Sequence, residues 1–283
     1  MIVVTGASGQ LGRLVISELL KTVAPAEIVA AVRDPAKVAD LAVQGVGVRV
    51  ADYTRPETLD AAFAGAEKLL LISSNEVGQR APQHRNAIAA AKRAGVALIA
   101  YTSILHADTS PLGLADEHKA TEAMLAASGI PYVLLRNGWY TENYLASVPP
   151  ALQHGAFIGS AGTGKIASAG RADYAAAAAA VLTQPGQAGK VYELAGDTAY
   201  TLSDLAAELS RQSGKTVAYS NFPAAEFKAA LLGAGLPEGV AALLSDSDVG
   251  ASRGGLFDDG HALSRLIGRP TTPLAASMKA ALA

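Results

Sequence analysis

The chain has 283 residues, half of them hydrophobic and few of them aromatic, and a formal net charge of -2 at pH 7. This length predicts one large domain or two small ones, and the small net charge gives no reason to expect nucleic acid or a membrane surface as a partner. The absence of cysteine excludes disulfides and cysteine-ligated metals, and the five scattered histidines predict no metal site.

The start of the chain carries no basic segment followed by an apolar stretch, and the longest purely apolar run, Tyr174–Leu182, is too short to cross a bilayer. We therefore expect a cytoplasmic protein that does not insert into a membrane. The sequence leaves its oligomeric state undetermined.

The first predicted strand, residues 2–5, leads directly into a glycine-rich turn that ends at Gly12. A Gly-x-x-Gly-x-x-Gly turn between a strand and a helix is typical of a dinucleotide site, because side chains at Gly6 or Gly9 would block the phosphates. Gly12 lets the helix pack closely on the strand. The alternative is a glycine-rich turn that binds nothing.

Strand and helix signals alternate along the first half of the chain. Short apolar runs occur at residues 2–5, 27–32, 46–50, 68–72, 97–101 and 132–136. This alternation predicts an α/β fold, a Rossmann-type doubly wound parallel sheet with helices on both faces. Such sheets bind ligands beyond the carboxyl ends of their strands, so the residues just after each strand are site candidates. The patterns at residues 54–57 and 201–204 are typical of capping boxes and predict helix starts there.

The alternation ends after about residue 140. We expect a loop over Gly155–Gly170, an alanine-rich helix capped by Asp173, and a short strand over Val191–Leu194. The rest of the chain is mostly helical, and Asp246–Asp259 is either a flap or an ordinary loop. The predicted domains are a nucleotide-binding domain over residues 1–150 and a smaller helical lobe over residues 151–283, with residues 171–195 returning to the sheet.

Arg33 ends the second predicted strand, about 20 residues after the glycine turn. NAD-binding chains usually have an acidic residue at this place, which accepts hydrogen bonds from the ribose hydroxyls. A guanidinium suits a 2′-phosphate and offers no acceptor, so the sequence favours NADP over NAD. A solvated arginine at a strand end is the alternative, and we assign the following Asp34 to a helix cap.

Other polar residues follow the third and fourth strands. Asp52 is placed to bind the adenine amino group or to serve as a simple turn residue. Ser73, Ser74 and Asn75 would lie beside the nicotinamide ribose, or cap the next helix.

Three segments resemble the NmrA-like, atypical branch of the short-chain dehydrogenase/reductase superfamily: Val4–Gly12, Leu134–Tyr144 with its LR-x-G-x-x-x-E-N pattern, and Arg171–Ala175. Longer stretches are similar to the quinone-reducing members of this branch, at residues 69–86, 105–118 and 245–259. The resemblance runs over nearly the whole chain and is therefore much more specific than the glycine turn.

The resemblance implies hydride transfer from NADPH, with NADH as a weaker substitute, to a small-molecule quinone that stacks over the nicotinamide. It implies no flavin and no metal. It implies a 2′-phosphate contact at Arg33, further contacts near Ser73–Asn75, and phosphate contacts at Gly6, Ala7, Ser8, Gly9, Gln10 and Leu11. The remaining implied coenzyme contacts are Asn137, Gly138, Trp139, Tyr140, Thr141 and Glu142.

Enzymes of the wider superfamily use a Tyr-x-x-x-Lys pair to protonate a nascent alkoxide, and this chain lacks that pair. The lysine place falls on His118, and the tyrosine place on Leu114 or Ala115. Ser103 matches the superfamily's serine but is expected to be structural. We keep His118 as a candidate proton donor or ribose ligand, against the alternative of a surface or packed residue. His84 is expected on a solvated helix face.

A quinone needs less acid assistance than a ketone, because its reduction gives a weakly basic phenolate. Placement of donor and acceptor can then supply most of the rate, about 7–11 kcal/mol. Trp139, Tyr140 and Tyr144 could stack on the ring, and Asn143 or Tyr140 could donate to a quinone oxygen. The alternative is that these residues only pack a hinge. The catalytic candidates are Tyr140, Asn143 and His118.

Two other functions are compatible with the absence of the Tyr-x-x-x-Lys pair. A non-enzymatic NmrA-like sensor would bind the nicotinamide coenzyme, distinguish its redox states and pass them to a partner protein. A reductase of another activated double bond, such as an enone, would use the same hydride chemistry on a different acceptor.

Overall fold

The computed structural model describes all 283 residues of the chain. Its strands are β1 (Ile2–Thr5), β2 (Ile28–Val32), β3 (Gly47–Val50), β4 (Lys68–Leu71), β5 (Leu98–Ile104), β6 (Tyr132–Asn137), β7 (Ala156–Gly159), β8 (Val191–Leu194) and β9 (Ala218–Asn221). Seven of them form one sheet in the order β3-β2-β1-β4-β5-β6-β8, and β7 pairs with β9. The order reverses between β1 and β4, which is where such sheets bind ligands. The predicted Rossmann-type parallel sheet is confirmed.

Thirteen α-helices connect or follow these strands. They are α1 (Gln10–Leu19), α2 (Ala39–Val43), α3 (Pro56–Phe63), α4 (Arg80–Arg93), α5 (Ala115–Ser128), α6 (Thr141–Leu145), α7 (Val148–His154), α8 (Arg171–Thr183), α9 (Leu202–Ser213), α10 (Ala224–Gly233), α11 (Glu238–Ser252), α12 (Ala262–Ile267) and α13 (Leu274–Ala281). Two short 3-10 helices cover Pro25–Glu27 and Pro35–Val38. No helix is both long and apolar enough to span a membrane.

The chain divides into two compact units, of which the first comprises residues 1–104, 116–137 and 171–192. Alternate strand residues such as Val3, Leu69 and Tyr101 pack against α3 and α4 in one buried cluster. On the other face α1 lies along α8, whose many alanines allow close packing. Successive side chains of a strand point to opposite faces of the sheet, and helices cover both faces. Side chains on both faces of these strands are therefore buried, which explains why the strand sequences are apolar throughout.

The second unit comprises residues 105–115, 138–170 and 193–283. It is mostly helical, as predicted, and adds the small β7-β9 sheet. This division differs from the predicted one, because residues 105–115 and 138–150 group with the second unit rather than with the first.

Three local expectations were wrong. Gly155–Gly170 contains β7 as well as loop. Residues Ala156–Gly159 pair with β9, and every second one of them is buried. The alanine-rich helix begins at Arg171, so Asp173 lies in its first turn instead of capping it. Half of Asp246–Asp259, which was expected to be a flap or an ordinary loop, is the last part of α11, which ends at Ser252.

Candidate active site

The glycine turn has a backbone that only glycines permit. Gly6 has a φ of +59°, in the left-handed region that disfavours other residues. A Cβ at Gly12 would lie 2.5 Å from the carbonyl oxygen of Gly6 and 2.7 Å from the Cα of Ala7. Since both neighbours are backbone atoms, the helix could not keep its position with a side chain there.

Helix α1 begins beside this turn without a side-chain cap. Gly9 is the N-cap residue, and no side chain bonds to the first N–H groups of the helix. The N–H groups of a first helical turn have no acceptor within the helix and carry a partial positive charge. The uncapped helix start and the turn that excludes side chains together fit a bound pyrophosphate.

Thr5 ties β1 to β4 at the point where the strand order reverses. Its hydroxyl donates to the carbonyl of Leu70 at 2.9 Å and accepts from the N–H of Ile72 at 3.0 Å. The hydroxyl of Tyr53 lies 2.6 Å from Thr5 Oγ1 and 2.8 Å from the carbonyl oxygen of Ile72. These bonds hold the carboxyl ends of both strands in register beneath the glycine turn.

Arg33 stands at the end of β2 with its guanidinium largely exposed, and its Nη1 donates to Glu76 Oε1 at 2.8 Å. An accessible guanidinium fits a 2′-phosphate. Asp52 follows β3, and its carboxylate accepts from the N–H and the hydroxyl of Thr54. Burial opposes the effect, but these bonds lower the pKa of Asp52, so it remains an ionised acceptor at the strand end.

Hydrogen bonds between its backbone groups and side chains of other elements fix the segment after β4. The N–H of Ser73 donates to Thr102 Oγ1 at 2.9 Å. Ser74 is buried; its N–H donates to His84 Nε2 at 3.0 Å, and its carbonyl accepts from Arg80 Nε at 2.6 Å. Asn75 is exposed. The predicted trio is therefore a rigid loop in which Ser73 and Asn75, but not Ser74, keep exposed surface.

His84 belongs to a buried network, and the expectation that it lies on a solvated face was wrong. Its Nε2 accepts from an N–H, so its Nδ1 carries the proton and donates to Thr121 Oγ1 at 2.9 Å. Burial, with a contribution from the charge of Arg80, lowers the pKa of His84 to about 3. A neutral histidine therefore links β4 to α5.

His118 lies in the same network, and this placement corrects its assignment as a candidate proton donor. Its ring contacts Arg80 Nη1 at 3.2 Å and the hydroxyl of Tyr101 at 2.8 Å. Burial and then the neighbouring charge of Arg80 hold the pKa of His118 well below its usual range. Because Arg80 can only donate, the single ring proton of neutral His118 lies on Nδ1, where the hydroxyl of Tyr101 accepts it.

The other remnants of the superfamily's catalytic set are structural. Ser103 donates to Glu122 Oε1 at 2.5 Å, and Glu122 also forms an ion pair with Arg136 at 2.7 Å. Lys119 is exposed and pairs with Asp116. Ser103 is therefore a structural residue at the end of β5.

Asn137 ends β6 and is buried, and its Oδ1 has no hydrogen-bond partner. A buried acceptor without a donor is costly unless a ligand or a rearrangement satisfies it. This observation fits the predicted role of Asn137 as a coenzyme contact at the carboxyl edge of the sheet.

Residues 138–145 belong to the second unit. Trp139 and Tyr144 are buried and lie against each other with ring centroids 6.4 Å apart, so they are packing residues rather than an open stacking surface. Gly138 donates its N–H to the carbonyl of Leu194 at 2.7 Å. Both polar groups of Thr141 are engaged, its N–H with Ala169 and its hydroxyl with Ser168.

Tyr140, Glu142 and Asn143 are the residues of this segment whose polar side chains keep exposed surface. Tyr140 caps α6, and the N–H of Asn143 donates to its carbonyl at 3.0 Å. The phenol of Tyr140 and the carboxamide of Asn143 therefore both belong to the start of α6, and these are groups that can contact a flat, oxygen-bearing ligand.

Asp248, on α11, is hydrogen-bonded to Tyr144 of α6 and so helps to fix the position of α6. Its Oδ2 accepts from the N–H of Ser160 at 2.7 Å, and its Oδ1 accepts from the hydroxyl of Tyr144 at 3.3 Å. Burial raises the pKa of Asp248 to about 6. Sequence reasoning missed this residue, because its partner Tyr144 lies 104 positions away along the chain.

A protein-family model described as NAD(P)H-binding matches residues 6–185. The chain belongs to this NAD(P)H-binding family. The match begins in the glycine turn and ends just after α8, so it covers most of the first unit together with residues 105–115 and 138–170.

The chain is 68% identical to quinone oxidoreductase 2 of Escherichia coli over 278 residues, which are 98% of this chain and 97% of that protein. A crystal structure of an E. coli NADPH-dependent quinone oxidoreductase complexed with NADPH matches with a TM-score of 0.98 and 66% identity, over 100% of both chains. Triphenylmethane reductase of Citrobacter sp., complexed with NADP(H), matches with a TM-score of 0.96 and 41% identity, over 99% of this chain and 100% of that one. The resemblance to the quinone-reducing, NmrA-like branch is confirmed.

Proposed function

We propose that this protein is an NADPH-dependent quinone oxidoreductase that transfers hydride directly to a quinone and needs no flavin. The observation that carries the proposal is a dinucleotide-binding sheet edge with an exposed Arg33, in a chain that is similar over nearly its whole length to quinone oxidoreductase 2. This similarity to an oxidoreductase favours the enzyme over the non-enzymatic sensor.

The first unit binds and orients the coenzyme. The uncapped N–H groups at the start of α1 hold the pyrophosphate, and Arg33 holds the 2′-phosphate. Ser73 and Asn75, on the rigid loop after β4, contact the nicotinamide ribose, and Asp52 accepts from the adenine amino group. When bound, NADPH supplies the hydride.

Tyr140 and Asn143 orient the quinone. A phenol beside a carboxamide can contact a flat ring and donate to one of its oxygens, where negative charge develops as the ring becomes aromatic. The hydride brings one proton and two electrons to the quinone, and solvent supplies the second proton that completes the hydroquinone.

The absence of the superfamily's catalytic tyrosine is consistent with this acceptor. A general acid contributes about 10²–10⁴-fold, and this help matters most for a strongly basic alkoxide. A phenolate is a far weaker base, so the neutral, buried His118 and the structural Ser103 leave quinone reduction possible. The same reasoning makes simple ketones poor substrates.

Purified protein, NADPH and a benzoquinone test the proposal. We expect the absorbance of reduced nicotinamide to fall faster than in the protein-free mixture, and added flavin to leave the rate unchanged. A simple ketone in place of the quinone should give no reaction. A rate equal to the spontaneous one, in a sample that binds NADPH, would favour the sensor instead, whereas turnover with an enone only would identify a different reductase.

A further inference from the structure

The ion pair between Arg33 and Glu76 crosses the place where the coenzyme binds. Arg33 follows β2 and Glu76 follows β4, and the sheet order puts β1 between those two strands. The pair therefore spans the carboxyl end of β1, where the glycine turn begins. Arg33 Nη1 and Glu76 Oε1 are 2.8 Å apart.

Glu76 is held ready for this contact. Its Oε2 accepts from Gln83 Nε2 at 2.7 Å, and its N–H donates to Ser74 Oγ at 3.1 Å. Gln83 is buried, and Ser74 is fixed by His84 and Arg80 as described above. Because the carboxylate is positioned by these bonds, it loses little side-chain entropy when Arg33 pairs with it.

From this arrangement we propose that Glu76 determines coenzyme selectivity by competing with the 2′-phosphate of NADPH for Arg33. The inference rests on the proposed function, in which Arg33 binds that phosphate. A carboxylate that stays on the guanidinium occupies its Nη1 donor and repels the phosphate, and a carboxylate that leaves must first break its ion pair. Either way Glu76 weakens NADPH binding.

NADH meets no such competition. It carries an uncharged ribose hydroxyl where NADPH carries the phosphate, and such a group competes weakly with a carboxylate for a guanidinium. The pair of Arg33 and Glu76 can persist while NADH is bound. Glu76 therefore narrows the preference for NADPH and leaves NADH usable.

The test is the dissociation constant of each coenzyme, measured by fluorescence of the nicotinamide without any quinone. We expect Glu76→Gln to bind NADPH about fivefold more tightly, because an exposed ion pair of this kind contributes at most that much. NADH affinity should change less than about twofold, since no phosphate is involved. Glu76→Ala, measured in parallel, should shift NADPH affinity in the same direction.

Two further variants isolate the cause. In an Arg33→Met background, Glu76→Gln should no longer tighten NADPH binding, because the group in competition is gone. Asp60→Asn is the matched control: it breaks another half-exposed ion pair of the first unit, with Arg93 at 2.7 Å, and removes the same charge. It should leave both affinities unchanged.

Equal affinity for NADPH in Glu76→Gln and the unsubstituted protein would overturn the inference while leaving the proposed function intact. Weaker NADPH binding in Glu76→Gln would also overturn it, by showing that Glu76 assists the coenzyme. Failure of the unsubstituted protein to bind either coenzyme would instead contradict the proposed function itself.

Discussion

The first unit offers the pyrophosphate of its proposed ligand backbone groups, whereas the second unit offers its proposed ligand side chains held by distant partners. The N–H groups of α1 are available because Gly6, Gly9 and Gly12 keep the turn free of side chains. Tyr140 and Asn143 depend on α6, which Asp248 of α11 holds through Tyr144. A site made of backbone groups is lost when the path of the backbone changes. In a site made of side chains, a substitution can remove one contact and leave the others in place.

The buried polar groups of the two units also differ. In the first unit burial lowers the pKa of His84 to about 3 and keeps that histidine neutral. In the second unit burial raises the pKa of Asp248 to about 6, so that group changes charge in an accessible pH range. The two units should therefore respond differently to substitution and to pH.

The largest effect is expected from Gly12→Ala. The new Cβ would meet backbone atoms of Gly6 and Ala7, and overpacking of this kind costs about 1–3 kcal/mol of unfolding free energy. Because the helix start must move, we expect NADPH affinity to fall about a hundredfold as well. Thermal unfolding and coenzyme titration measure both.

Gly233→Ala is the matched control for that substitution. Gly233 is helical, has open space around its Cα and has no positive φ, so alanine should stabilise its helix slightly. Unchanged NADPH binding in Gly12→Ala would show that the turn does not hold the pyrophosphate.

The next effect in size is that of Arg33→Met. Hydrogen bonds to a charged partner contribute about 1.5–3 kcal/mol, so we expect NADPH affinity to fall about thirtyfold while NADH affinity stays nearly constant. Arg93→Met removes an arginine from a similar surface ion pair and should change neither. Equal losses for both coenzymes would show that Arg33 acts on something other than the 2′-phosphate.

Asn143→Ala probes the second unit and should separate it from the first. We expect kcat/KM for the quinone to fall about tenfold, which is less than the usual loss of an oxyanion donor, because the developing phenolate is weakly basic. Coenzyme affinity should not change. Asn221→Ala, at the end of β9, is the same substitution in the same unit and should leave kcat/KM intact. A parallel loss of coenzyme affinity in Asn143→Ala would assign Asn143 to the coenzyme.

The same contrast explains what the sequence could predict. The strands β1 and β8, the glycine turn and the capping box of Thr201 with Asp204 are set by residues close together in the chain, and all were predicted correctly. The capping box predicted at residues 54–57 was wrong, because the hydroxyl of Thr54 donates to Asp52 instead and α3 begins without a side-chain cap.

Contacts between distant residues were not predictable from local patterns. His84 stands in a polar helix and looked solvated, yet it is buried between Ser74, on the loop after β4, and Thr121, on α5. Trp139 and Tyr144 have the composition of a stacking site, but burial decides that they pack a core. Neighbouring residues in the sequence carry no signal for either outcome, since each depends on which elements the fold brings together.

The smallest predicted effect concerns the pH dependence of stability through Asp248. Its folded pKa, about 6, lies above the unfolded value of 3.8, so the folded state binds this proton more tightly. The resulting stability is present below pH 3.8 and is lost as the pH rises through about 6. Asp248→Asn cannot titrate; its carbonyl oxygen can accept from the N–H of Ser160, and its amide N–H can donate to the hydroxyl of Tyr144.

The measurement is the difference in Tm between Asp248→Asn and the unsubstituted protein at a series of pH values. We expect this difference to rise in favour of the variant by about 5 °C between pH 4 and pH 7. His84 and the other buried groups affect both proteins equally and cancel from the difference. Asp259→Asn, at an exposed position, should give a difference that does not vary with pH. A difference for Asp248→Asn that is constant with pH would mean that Asp248 stays ionised in the fold, and the contrast in titration between the two units would then be lost.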